Sequence, residues 1–370
     1  MNDKTIIQKN ELFYILVNII TTKMFFTYPR YMVNNSGNAA WIQCIYVSLI
    51  FAIVFSVTLF LYKKTSTINI LDAAELAGGK VLKKIIGILL CFILIFNIAV
   101  TIRALPESIK TVLLPHTPMK LLMISLGMAI ACGAYMGLYS IARICSLFIP
   151  AAGAVFIFLL LLLIPDYDIT NIFPIFGKGT YNIFITGLSS LGIFSDTIIL
   201  FILIPFFRNY SEVKSVSIKA LTVSSVVSFL IVFIYNLVLT YPASEDFMMP
   251  IYQISRLIKI GDFFQRFEAF FEFVWSIAIM LYASLYLFVI CYIWKEIFDL
   301  KYYKELIFPF TIIIISLSYL PSSTVQLSNT GNIISIATIP LCIFLPGIIA
   351  LSVRIKEHII NNKKPDYKSK

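Results

Sequence analysis

The stretch TYNIFITGLSSLGIFSDTIILFILIPF, residues 180–206, is long and apolar enough to cross a membrane, yet its middle is polar and flexible. Gly187, Ser189, Ser190, Gly192, Ser195 and Asp196 interrupt it. Bilayer hydrocarbon offers no partners for freed backbone N–H and C=O groups, so a broken helix persists only where it lines a cavity or is buried in protein. A carboxylate at that depth needs a partner, which makes Asp196 a functional-site candidate. The stretch therefore predicts a binding site at mid-membrane.

Working outward, apolar runs of similar length recur through all 370 residues, of which 59% are hydrophobic and 13% charged, with mean hydropathy +0.91. That is far from a soluble domain and predicts a polytopic, all-α membrane protein forming one domain over 1–370. We read ten spans, at 11–33, 40–62, 84–109, 119–138, 143–165, 180–206, 216–240, 267–294, 305–321 and 333–354. The start, MNDKTIIQKNE, is polar and no cleavable signal peptide is expected. With the N-terminus inside, twenty of the 29 Lys and Arg residues fall in inner segments and seven in outer ones. By the positive-inside rule both termini are inside, and the net charge of +10 reports topology rather than nucleic acid. Six scattered cysteines and two histidines give no metal-ligand pattern.

Ten spans with both ends inside divide into two five-helix sets of opposite orientation, 11–165 and 180–354. Span 1, ELFYILVNIITTKMFFTYPRYMV, then corresponds to span 6, and it also carries polar residues in its middle: Asn18, Thr21, Thr22 and Lys23. Interrupted segments at matching positions of two halves point to a transporter-type site. Span 3 holds Asn97, Thr101, Arg103, Pro106 and Glu107; Arg103 and Glu107 stand one turn apart and can pair, and Pro106 is expected to kink the helix. The outer loop 241–268 reads as a short interfacial helix over Ile251 to Ile260. Span 8 opens with Gln265, Glu268, Glu272 and Ser276 on one face, with Glu272 the deeper carboxylate. Residues 67–84, ending near Gly78–Gly79, read as an inner amphipathic connector, and KEHIINNKKPDYKSK as a disordered basic tail beside anionic headgroups.

No phosphate loop, nucleophile elbow or zinc-peptidase motif is present, so neither an enzyme nor a cofactor is expected. The constellation suits a small zwitterion: half-helix N-termini for an anionic group, a carboxylate for an ammonium. Asp196 either holds a ligand amine directly or pairs with Lys23 across the two breaks. The spacing leaves both open.

The motif TIRALPESIKTVLLPHTP at 101–118, with an Arg, a Glu and then LP-x-TP, resembles the outer end of span 3 in the B subunits of bacterial spore-germinant receptors, the spore permease family. Further matches follow in order: Pro29 and Ala40–Trp41, GLYSIAR at 137–143, then Pro250, Arg256, Arg266 and Trp275. The resemblance covers the whole chain. It implies membership of the amino acid–polyamine–organocation superfamily and a LeuT-like fold of two inverted five-helix repeats with helices 1 and 6 broken. It also implies germinant sensing in the inner membrane of a spore, beside an A subunit and a lipoprotein C subunit, for a small nutrient such as an amino acid. Carried onto this chain, the pocket would be lined by Thr21, Thr22, Lys23 and Phe25 of one break and by Gly187, Ser189, Ser190, Gly192, Phe194 and Asp196 of the other. Asn97, Thr101 and Glu272 would complete it, with Arg103, Pro106, Glu107 and Glu268 in structural or gating roles. The superfamily usually has glycine in the span 1 break; Thr21-Thr22-Lys23 stands there instead. Two other functions are compatible with such a cavity: an amino-acid/proton symporter with Asp196, Glu107 or Glu272 carrying the proton, and a non-binding scaffold subunit.

Overall fold

The computed structural model describes residues 7–25, 27–65, 68–247, 249–258 and 266–362. Among them there is no strand, and the α-helices are α1 (Lys9–Thr21), α2 (Tyr28–Ser36), α3 (Ala40–Tyr62), α4 (Ile70–Val112), α5 (Met119–Met136), α6 (Leu138–Leu162), α7 (Thr180–Phe184), α8 (Ile198–Leu203), α9 (Tyr210–Val238), α10 (Pro250–Ser255), α11 (Phe267–Ile297), α12 (Ile307–Ser318), α13 (Thr324–Thr338) and α14 (Leu345–Asn362). Eight helical segments among the described residues are long and apolar enough to cross a membrane. With Asp, Glu, Lys and Arg scarce along them, each satisfies its backbone internally and leaves a largely apolar surface for lipid.

Enclosure sorts these segments into centre and rim. Thr180–Phe206 is 89% buried along its apolar window and Phe267–Ile297 is 78% buried, whereas Leu138–Leu162 is 17% buried. The first two form the middle of the bundle. Leu147, Ile157 and Leu161 of α6 stand exposed and form lipid-facing surface. Around α11 pack α4, α5 and α6, while α1 lies between α6 and α9.

Four boundaries differ from the sequence reading. Span 1 is two helices, α1 and α2, joined by a 3₁₀ turn at Thr22–Phe25, and Gly37, with φ 62°, then separates α2 from α3. Span 9 shrinks to the 12 residues of α12. The last span starts at Thr324 rather than 333, because the polar run before 333 forms helix instead of loop. α13 then passes through a π-helical segment, Ile339–Phe344, into α14. In α4 the non-helical dihedrals fall at Gly79 (φ 82°), within the expected connector, and not at Pro106, where the helix runs on. Glycine tolerates that positive φ without a Cβ clash. α10 supplies the helix expected near 251, over six residues; 259–265, with Gln265, and the tail from 363 lie outside the described residues.

Candidate ligand site

Both breaks form where the sequence places them. At the end of α1, the Thr21 hydroxyl donates to the Val17 carbonyl (2.7 Å) and the Thr22 hydroxyl to the Asn18 carbonyl (2.6 Å). Hydroxyls that take up carbonyls of the preceding turn compete with the backbone ladder and loosen it. The chain leaves the α-helix there and continues as the 3₁₀ turn. In span 6, five residues of α7 give way to a 3₁₀ run over Thr186–Thr197, and α8 resumes the helix at Ile198. A 3₁₀ stretch of 12 residues is unusually long, since its hydrogen-bond geometry is poorer than that of an α-helix. Two glycines allow neighbours to come close. A Cβ at Gly192 would run into the Ser335 carbonyl of α13, and one at Gly187 would stand 2.9 Å from the Gln43 side chain of α3.

The breaks meet at one ion pair. Lys23 Nζ lies 2.8 Å from Asp196 Oδ1; the Asp196 side chain is wholly buried and that of Lys23 is 21% exposed. Asp196 is saturated with donors. Asn97 Nδ2 donates to Oδ1 (3.1 Å), as does the Tyr286 hydroxyl, and the Tyr282 hydroxyl donates to Oδ2 (3.1 Å). Removal of two charges from water is costly, and a shell of hydrogen bonds on the remaining lone pairs is what makes such a pair tolerable. In this conformation the carboxylate is therefore engaged by the protein's own ammonium.

A cavity of about 130 Å³ sits on this pair. A cavity needs only about 10–15 Å³ of such space to hold one water, so this one has room for several waters or a small metabolite. Thr22 and Lys23 form part of its floor, Asn97, Thr101 and Glu107 of α4 one wall, Ser190 and Ile193 another. Tyr28 and Tyr31 of α2 and Trp275 of α11 supply aromatic surface, and α13 closes the remaining side.

The expected residues thus separate into groups. Thr22, Lys23, Asn97, Thr101, Ser190 and Glu107 border the cavity. Asp196 stands behind Lys23, without bordering it. Thr21 points into α1's last turn, Gly187 and Gly192 are close-approach positions, and Ser189 accepts a hydrogen bond from Tyr31 (2.6 Å) behind the wall. Phe194 stacks on Phe51 of α3 at 4.4 Å, and Phe25 packs edge-on against Phe156. Glu272 is buried on α11, and its Oε1 has no hydrogen-bond partner among the described residues. Arg103 and Glu107 form the expected pair, at 2.8 Å, with Arg103 also 5.7 Å from the centre of the Tyr319 ring. Pro106 is buried within α4, and Glu268 lies 3.3 Å from Arg266, which donates to the Val112 carbonyl and ties α11 to the end of α4.

Sequence reading missed two contributors. Tyr282 and Tyr286 continue the face that Glu268 and Glu272 begin: 268, 272, 275, 279, 282 and 286 alternate in steps of four and three. That run was legible, but following Ser276 instead of Trp275 leads off the face. The second is α13. Its start is signalled by Ser323-x-x-Gln326, a helix-capping pattern, and Ser323 Oγ does accept from Gln326 N (3.2 Å).

Comparison with known proteins places these features in context. The profile of the family described as "Spore germination protein" matches residues 6–326. Spore germination protein B2 of Bacillus subtilis (strain 168) is 24% identical over 253 residues, 68% of this chain and 68% of that protein. Spore germination protein A2 of the same organism is 22% identical over 272 residues, 71% and 73% of the two chains. Among solved structures, a manganese transporter of Eremococcus coleocola superposes with a TM-score of 0.52 at 10% identity, over 95% of this chain and 77% of that one. The bundle thus has the fold of a transporter.

Proposed function

This chain belongs to the spore germination protein family, and we propose on that footing that it is the germinant-sensing, transporter-like subunit of a spore germination receptor. It binds a small nutrient in the cavity between the two breaks and passes a change of conformation to partner subunits, an A subunit and a lipoprotein C subunit. It sits in the inner membrane of the spore with both termini inside, its two halves related as inverted five-helix repeats. One observation carries this reading: a ligand-sized cavity rests on the Lys23–Asp196 pair, which joins the two helix breaks. A ligand seated on Lys23 touches both breaks at once, so its presence biases how the halves are arranged.

The pair also favours sensing over ion-coupled transport. The carboxylate that could hold a coupling cation is already neutralised by a lysine that cannot leave. A thermal-shift screen of the purified chain against amino acids, sugars and nucleosides tests the proposal, repeated with Asp196→Asn and with Lys23→Met. A stabilising compound is expected, lost in both variants. A hit indifferent to both moves the site elsewhere, and labelled compound accumulating in proteoliposomes under a proton gradient replaces the sensor with a symporter.

A further inference from the structure

Many serines and threonines in this bundle bond back into their own helices. Ser284 donates to the Met280 carbonyl (2.7 Å), Thr311 to Ile307 (2.7 Å), Ser276 to Glu272 (2.8 Å) and Thr101 to Asn97 (3.1 Å). This is the usual way for a hydroxyl to satisfy itself where water is scarce. The cavity-facing side chains of α13 depart from it, although Thr338 at the helix end donates to the Ser335 carbonyl (2.6 Å). Thr324, Ser328, Asn332 and Ser335 stand on one face, in steps of four, four and three, and all four border the cavity. Among the described residues none of their side chains makes a hydrogen bond, to α13 or to any neighbour.

Unused polar groups on a transmembrane helix are costly unless something in the cavity engages them. Their chemistry is uniform: three hydroxyls and a carboxamide, all neutral, each able both to donate and to accept. Lys23, by contrast, spends one N–H on Asp196 and keeps others for the cavity. The pocket therefore offers the remaining ammonium N–H donors of a neutralised ion pair at its floor and a neutral hydrogen-bonding wall. Ser335 packs against Gly192 at the floor, and Thr324 opens the helix at the far end, so the wall runs the length of the cavity.

We propose that α13 sets the ligand specificity of this pocket: Ser328 and Asn332 recognise a neutral hydrogen-bonding group, a hydroxyl or carboxamide, on a ligand whose anionic end lies at Lys23. This rests on the cavity being the germinant site. A site built to hydrogen-bond a hydroxyl rejects the analogue lacking it, because its own polar groups are then left unpaired. Two pairs probe this without changing the charged end: L-serine with L-alanine, which lacks the hydroxyl, and the near-isosteric L-threonine with L-valine.

Dissociation constants for the four amino acids are measured by calorimetry on the full chain in lipid nanodiscs. In the wild-type protein the hydroxyl-bearing member of at least one pair binds about tenfold tighter or more. Ser328→Ala with Asn332→Leu, shape-conserving changes, brings that ratio close to one while the melting temperature holds. Asn332→Ser alone, which replaces the carboxamide with a hydroxyl and leaves Ser328 in place, retains a preference. A wild-type ratio within twofold for both pairs overturns the proposal, as does a ratio that survives the double change. If Lys23→Met abolishes binding of all four while the double change leaves the ratio intact, the pocket stands and the α13 wall falls. If none of the four binds the wild-type chain, the α13 proposal falls, while the sensor reading is decided by the wider thermal-shift screen.

Discussion

Lys23 would be an expensive residue in a membrane helix if it stood alone, and Asp196 more so, since its side chain has no exposure at all. Each exists because of the other. Breaking a buried pair from one side leaves an uncompensated charge and costs about 3–5 kcal/mol, whereas removal of both charges is far milder. Lys23 is partly exposed, so its loss falls at the lower end. The expected order of thermal stability is therefore wild type, then Lys23→Met with Asp196→Asn together, then either single change, as read by unfolding in detergent. Losses that simply add would mean the pair is not a coupled unit. At this scale the sequence was informative where chemistry is rare: a lysine and an aspartate inside apolar runs can hardly be overlooked. It signalled Tyr282 and Tyr286 only weakly, because tyrosines are unremarkable in a chain with 20 of them, and only the shared face with Glu272 distinguishes these two.

At the scale of elements, the breaks are defined by what small residues permit. Gly192 lets the 3₁₀ run lie directly on the α13 backbone at Ser335. Gly192→Ala must push α13 away, and overpacking of this kind costs about 1–3 kcal/mol. We expect a lower melting temperature together with weaker binding of whichever compound stabilises the wild type, because the displaced helix is a cavity wall. A melting temperature unchanged from wild type would show that the two elements separate freely. Gly187→Ala, which meets the Gln43 side chain rather than backbone, is expected to be milder in the same assay. Both breaks were legible because glycine, serine and threonine are conspicuous within apolar helices. α13 was not, for the opposite reason: its polar face made it resemble a loop, although a polar face is what a helix along a cavity requires.

At the scale of the molecule, the all-helical membrane architecture followed from apolar run length, while the exact spans did not, since short helices such as α12 and the jointed α1–α2 lie below what length alone can resolve. The charge bias makes a topological prediction. Asp168, in the segment between α6 and α7, is expected outside, and Lys214, at the start of α9, inside. In intact cells a membrane-impermeant maleimide should label Asp168→Cys above the background of the native cysteines, and Lys214→Cys only after permeabilisation. The reverse pattern would invert the whole bundle and place the cavity on the other side.

The ion pair has one consequence for physiology. A pocket whose floor is electrically closed draws nothing from a membrane voltage or an ion gradient, so occupancy alone sets its state. Such a detector needs no energised membrane. On the sensing role proposed above, a dormant cell whose gradients have run down would read a nutrient through it as well as a growing cell does.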